Sequence, residues 1–290
     1  MLPLLIHPDQ TGFVKGRYIG ENIRLIADVM GQTRKLNLSG ILLSLDFQKA
    51  FDNLVWSCIY DVLKLYNFGD SLRKWVRDFY TDIESAILNN SYAANWIKPS
   101  TGVRQGCPLS PYLFILAAEL MCMKIRQSSA VKGISIFERE IKISQFADDT
   151  NLLCLDLSSV EKGLQIAVNF GEISGLRLNL EKIKAMWLGK WSGNKSKPLR
   201  LKWASSPSRI LGIHFSYDEK GNSEKTFNPK IDKLQTNLDI WISRDFTLYG
   251  KEMIIKALGV SSLIYSASNI NVPKDIISKL DSSGKIKGTK

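Results

Sequence analysis

The stretch ISQFADDTNLLCL, residues 143–155, restricts the fold more than any other part of this chain. Its residues have the pattern of a tight hairpin, with Asp148 and Asp149 at the tip behind Phe146 and Ala147. Two neighbouring carboxylates on an apolar hairpin repel each other and resist desolvation unless a cation sits between them. An all-oxygen donor pair suits hard divalent ions. Taken alone, an Asp-Asp pair is also read as a polar turn between two strands. The residues upstream decide between these readings.

At 290 residues and 44% apolar content, the chain is long enough for one large domain or two modest ones with a real core. No run of about 18 apolar residues occurs, which argues against a membrane span. The start, MLPLLIHPDQ, has no basic n-region or small-residue cleavage site, so the expectation is an intracellular protein, nuclear or cytoplasmic, and not a secreted one. Cys58, Cys107, Cys122 and Cys154 are widely spaced, which fits a reducing compartment and argues against a zinc site. The net charge of +11 is uneven: residues 1–180 hold 19 Lys+Arg against 18 Asp+Glu, and residues 181–290 hold 20 against 10. A basic final third points to a polyanion partner, with a solvated lysine surface as the plain alternative.

Apolar periodicity predicts a helix from about Glu21 to Gln32, then a buried strand Ile41–Leu45 ending at Asp46. Phe51, Leu54, Val55, Cys58, Ile59, Val62, Leu63 and Tyr66 predict one amphipathic helix closed by Gly69. A second helix, Ser71–Tyr80, leads to a hairpin turning at Asn89-Asn90. The Gly/Pro loop TGVRQGCPLSP feeds a helix apolar nearly all round, with Ser110 as its N-cap. Ser158 is expected to open a helix to Ser174. Residues 217–223 are turn-rich, two helices follow, and the tail is of disordered composition.

If the strand ending at Asp46 neighbours the hairpin of Asp148 and Asp149 in one antiparallel sheet, three carboxylates meet at one edge. Such a set calls for divalent cations, and two ions about 4 Å apart would clamp an in-line phosphoryl displacement. No Ser-His or Cys-His arrangement offers a protein nucleophile, and His7 and His214 are the only histidines.

LDFQKAFD, GVRQGCPLSPYLF, QFADD, GLRLNLEK and RILGI follow one another in the order and spacing of reverse transcriptase motifs A to E. The chain resembles reverse transcriptases of non-LTR (LINE-type) retrotransposons from about His7 to Gly212, and HPDQTGFVKGR resembles their stretch ahead of motif A. The resemblance implies an α+β fold: a right-hand polymerase palm, an antiparallel sheet backed by helices, with partial fingers and a helical thumb. The implied divisions are 1–39 partial fingers, 40–222 palm, 223–282 thumb and 283–290 a disordered tail. It implies RNA-directed DNA polymerisation, with an RNA template, a DNA primer or target and dNTPs as partners, no membrane, and two Mg²⁺ ions, Mn²⁺ being the alternative.

By the same resemblance Asp46, Asp148 and Asp149 are the catalytic acids, with the Phe47 carbonyl as an added metal ligand. Phe51 matches the gate that excludes a ribose 2′-OH, and it fits its helix's apolar stripe equally well. Gln105 and Gly106 match the wall at the template or incoming base pair, with Arg104 as a phosphate contact or an acid's partner. Lys182, with Lys184 close by, matches the lysine that protonates pyrophosphate, and Leu211 and Gly212 match the primer grip. The family's fingers hairpin has no counterpart before His7, and its endonuclease, cysteine-rich and RNase H segments have none either. The alternative expectation is therefore a truncated, inactive remnant that only binds nucleic acid.

Overall fold

A computed structural model describes residues 2–204, 207–242, 244 and 247–284. The chain divides into two compact units, Met1–Trp203 and Ala204–Lys290. The first runs α1 (Leu2–Leu5), α2 (Ile19–Lys35), β1 (Ser39–Leu45), α3 (Ala50–Asn53), α4 (Trp56–Leu65), α5 (Asp70–Phe79), β2 (Leu88–Asn89) and β3 (Tyr92–Ala93). It continues through α6 (Ser110–Gln127), β4 (Ile134–Ile136), β5 (Arg139–Ile141), β6 (Ile143–Phe146), β7 (Asp149–Cys154), α7 (Leu157–Ser174), β8 (Lys184–Gly189) and β9 (Lys202–Trp203).

Its sheet has the order β6-β7-β1-β8-β9, antiparallel except for the final β8–β9 pair. β1 is paired along both edges and helices cover both faces of the sheet, so its apolar run is buried on both faces. Ile41, Leu43 and Leu45 join the main core with residues of α4, α6 and α7. Leu42 alternates to the other face, where α2 packs on β6 and β8. Helix α6 is buried almost all round, which its sequence demands. It carries one buried charge, Glu119, which is 2% exposed and paired with Arg126.

Several expected boundaries move. The helix predicted after Asp46 breaks at Leu54 and Val55, both extended. There Phe51 and Leu54 carbonyls accept from Val103 and Gly102 N–H, at 2.7 and 2.8 Å, and Val55 N–H donates to Ser174 O at 2.9 Å. Left-handed Asn67 (φ 56°), not Gly69, closes α4, with Phe68 N–H reaching back to Leu63 O at 3.0 Å. Gly69 instead precedes α5. The hairpin turn falls on Asn90 and Ser91, both left-handed. Ser110 is the first residue of α6, whose N-cap is Leu109, and no side chain caps it. Asp156, not Ser158, caps α7 by accepting from Ser159 N–H at 2.8 Å.

The second unit holds the hairpin β10 (Ser208–Ile210) and β11 (Ile213–Phe215), then α8 (Glu219–Ile242) and α9 (Leu248–Ile254). A π-helical stretch Ile255–Val260 leads into α10 (Ser261–Ala267), and α11 (Lys274–Gly284) follows. Phe227, Ile231 and Ile276 form its small core with Leu263, Ile270, Val272 and Leu280. Residues 217–223, read as a turn, run into α8, because Asp218 accepts from Gly221 N–H at 3.0 Å and starts the helix. The implied palm–thumb division after residue 222 thus lies inside α8, and the compact units part at Trp203. Of the expected disordered tail, Ser283 and Gly284 belong to α11, and residues 285–290 lie outside the described residues.

The basic excess is also placed differently. Residues 181–203 carry seven Lys+Arg against one acid, whereas residues 204–290 carry 13 against nine. No helix among the described residues is long and apolar enough to cross a membrane.

Candidate active site

The strand register brings the acids to one end of the sheet. The last β1–β7 pair is Leu45 with Thr150, and the last β6–β7 pair is Phe146 with Asp149. Asp46 therefore leaves β1 beside the β6–β7 turn, which is Ala147 and Asp148. Asp46 and Asp148 are half-buried. Burial pushes the Asp148 carboxyl up, its own backbone N–H pulls it back, and the charge of Asp46 raises it further. Asp149 has the most open side chain of the three, yet its carboxyl is also raised, first by partial desolvation, then by Asp148 and Asp46.

Among the described residues, no three His, Cys, Asp or Glu side chains gather closely enough to hold a metal ion. Three like charges have no cause to close on one point without a counter-charge. The donors are hard oxygens that already feel one another's charge, and that chemistry fits a divalent cation completed by backbone oxygen. Phe47 bridges Leu178, flanked by Gln48 N–H to Arg177 O (2.9 Å) and Asn179 N–H to Asp46 O (2.8 Å). Neither bond uses the Phe47 carbonyl. The same ladder ties the loop carrying Lys182 to Asp46: Lys182 is exposed, and its N–H donates to Asn179 O at 2.9 Å. Lys184 stands further along, in β8 opposite Ser44.

A cavity of about 290 Å³, joined to the acids' hairpin through the Phe13–Phe146 stack, is lined by Phe13, Phe51, Arg104, Gln105, Gly106, Cys107, Ser110 and Pro111. Phe51 stacks on buried Phe114 at 4.5 Å and 13° between rings, so its core packing and its place in the cavity wall coexist. The α3 residues that carry it are stitched to the 101–103 segment, where Gly102 (φ 94°) is required: a Cβ there would stand 2.7 Å from Asp52 O. Gly106 needs glycine for its φ of 84°, since nothing crowds its missing side chain. Arg104 and Gln105 are exposed at the cavity mouth.

The sequence reading missed the other side of this site. Residues 9–12, within the implied partial fingers, lie along β6: Gln145 N–H donates to Asp9 O and Thr11 N–H to Gln145 O, both at 2.9 Å. The Gln10 amide takes both polar groups of left-handed Ala147 (φ 55°). Its Oε1 accepts from Ala147 N–H at 2.8 Å, and its Nε2 donates to Ala147 O at 3.2 Å. Beneath them Asn22 donates to Ser144 Oγ (3.0 Å) and Gln145 O (3.1 Å) and accepts from Thr11. Arg17 gathers the carbonyls of Pro3, Ile6, His7 and Gln10, and Arg126 reaches Asp9 at 3.5 Å. Phe13 then places its ring edge-on to Phe51 and stacked on Phe146, each at 6.5 Å. The available signal was the density of small and polar residues in PDQTG, which suits close backbone approach as well as a free loop.

Leu211 and Gly212 lie in the second unit, at the β10–β11 turn, with φ of 47° and 82°. That pair of left-handed residues is the turn that matches strand twist. Tyr265 donates to Leu211 O at 2.5 Å and braces it.

The profile described as "Reverse transcriptase (RNA-dependent DNA polymerase)" matches residues 2–215. The "Transposon TX1 uncharacterized 149 kDa protein" of Xenopus laevis is 28% identical over 97% of this chain and 22% of its own length. A "Retrovirus-related Pol polyprotein from type-2 retrotransposable element R2DM" of Drosophila melanogaster is 28% identical over 60% of this chain and 16% of its own. The chain thus spans about a fifth of the length of the curated relatives it matches. Telomerase from Candida tropicalis, in complex with a fragment of telomeric RNA, shares the fold at a TM-score of 0.53 and 11% identity, over 98% of this chain and 48% of that one. The mixed fold with its antiparallel-rich sheet is that of a polymerase palm, and the chain belongs to the reverse transcriptase (RNA-dependent DNA polymerase) family, on its non-LTR retrotransposon branch.

Proposed function

We propose that this chain carries the catalytic palm of an RNA-directed DNA polymerase that copies a retroelement's RNA, joining dNTPs to a primer 3′-OH. The reading rests on one juxtaposition: Asp46 and the Asp148–Asp149 turn share a sheet end, joined through the Phe13–Phe146 stack to the cavity of Phe51, Gln105 and Gly106. Divalent metal use is general in the family. Here Asp46, Asp148 and Asp149, with the Phe47 carbonyl, would hold two Mg²⁺ ions, or Mn²⁺, which when bound neutralise the acids and lower the pKa of the attacking hydroxyl. Phe51, fixed on Phe114, presents a rigid ring where a 2′-OH would collide, so shape favours dNTPs. Gln105 and the backbone at Gly106 orient the incoming base, and Arg104 meets a phosphate. Lys182, exposed on the loop bonded to Asp46, holds a proton for pyrophosphate. Leu211–Gly212 is the primer-gripping turn.

For the nucleic-acid backbone, residues 181–203 offer Lys182, Lys184, Lys190, Lys195, Lys197, Arg200 and Lys202, all exposed. Trp187, stacked on Trp203 at 4.0 Å and edge-on to Trp191 at 5.5 Å, holds this segment down. Trp187 and Trp203 also donate to Ser196 O and Pro198 O.

Primer extension on poly(rA)/oligo(dT) with Mg²⁺ tests the reading. Asp148→Ala should reduce incorporation by more than about a hundredfold, beyond the 10–100-fold cost of losing a group that only hydrogen-bonds to a metal ligand. Full activity in that variant would remove the metal assignment. A folded wild-type chain that binds the hybrid but extends nothing would favour the binding-only remnant.

A further inference from the structure

Asp148 follows a left-handed alanine, a conformation that alanine does not hold by its own preference. Gln10 holds it. Its side-chain amide lies against Ala147 like a second peptide, accepting from one polar group and donating to the other. The same Oε1 accepts from Gly12 N–H at 2.8 Å, which fixes the amide's orientation. Gln10 is 1% exposed, so no water stands ready to replace it. The approach is as close as backbones allow: a Cβ on Gly12 would stand 2.4 Å from Ala147 N. The segment bearing Gln10 is anchored independently of the turn, by the Arg17 clamp and the ladder to Gln145.

We propose that Gln10 is a positioning residue for Asp148. By clamping both polar groups of Ala147 it sets where the next carboxylate stands relative to Asp46. The proposal rests on the assignment of Asp46 and Asp148 as the metal-holding acids. Gln10 touches no reacting atom and acts only through the turn. With the clamp gone, Ala147 relaxes toward negative φ and Asp148 swings with it. Of the cavity's lining only Phe13 shares the Gln10 segment, and Phe51, Gln105 and Gly106 stand on other elements, so nucleotide binding should change little.

The test uses the 290-residue chain with Gln10→Met, which keeps length and volume but cannot bond, and Gln10→Asn, which keeps the amide one methylene short. In single-nucleotide extension, kcat should fall about tenfold or more, equal to about 1.4 kcal/mol in the barrier, with KM for the dNTP within about twofold. Direct titration with Mn²⁺ alone, read by electron paramagnetic resonance, should show about tenfold weaker binding, the scale of a lost outer-shell partner. Hydrogen exchange should show Ala147 N–H protected in the wild type and opened in the variants, with β1 amides unchanged. A folded variant with wild-type kcat and Mn²⁺ affinity overturns the proposal. If neither variant folds, the wild-type exchange decides, and an unprotected Ala147 N–H overturns it. Should the wild type extend no primer, the polymerase reading fails for this chain while Ala147 exchange still reports on the clamp. Should wild type and variants extend alike, the clamp alone fails.

Discussion

Phe51→Ala separates two roles that one ring can serve. The ring is half-buried and stacks on Phe114, which is 1% exposed, at 4.5 Å. A fully buried Phe→Ala costs about 3–5 kcal/mol. A half-buried ring that also loses a stack worth about 0.5–1.5 kcal/mol should cost about 2 kcal/mol. For a unit of this size that lowers Tm by about 4–8 °C. Removing the wall also opens room for a 2′-OH, and a shape difference of that size is worth about 1–3 kcal/mol, or 10–200-fold, in selection. The assay measures kcat/KM for a dNTP and its matching NTP on one hybrid, beside a thermal melt. Phe51→Leu is the control, because it keeps much of the packing on Phe114 while shrinking the wall. Its Tm should fall less than that of Phe51→Ala, with partial loss of selection. If Phe51→Ala lowers Tm as expected while the dNTP-to-NTP ratio stays at the wild-type value, Phe51 is core alone and the gate argument is refuted.

Reversing two cations of the tryptophan-held segment, Lys195→Glu with Lys197→Glu, should reduce the log–log salt slope of duplex binding by about 1.8, at about 0.9 per phosphate contact. An unchanged slope would return that segment to the role of solvated surface. Asp149→Asn should raise the Tm of the metal-free chain at pH 7. The folded-state pKa of Asp149 lies above its unfolded value, so the cost of its ionised form is full above the folded pKa and vanishes below the unfolded one, about 3.9. The gain measured by thermal melts should therefore fade as pH drops toward 4, and a variant no more stable than wild type at pH 7 would contradict a carboxyl raised by desolvation and its neighbours' charge.

Much of the first unit was readable in one dimension because its signals are local. The apolar run of β1 ending in Asp46, the all-round apolar α6 and the acids after Phe146-Ala147 each announce themselves within a few residues. Helix ends were less readable, and at the break after α3 the competing bonds come from far along the chain. Leu54 and Val55 leave the helical path to meet Gly102 and Ser174, which periodicity does not register. The charge excess of the basic final third is concentrated in 181–203, inside the first unit, a division that only the fold draws.

The sequence by itself determined where the acids lie along the chain and the motif order that places the chain in its family, since those depend on residue type and spacing. Only the tertiary structure decided that HPDQTGF is a brace and not a free loop. A glutamine's partners are set by whichever backbone the fold brings to it, and Ala147 lies 137 residues away. The hairpin's acids could be read from thirteen consecutive residues; what holds their turn left-handed could not.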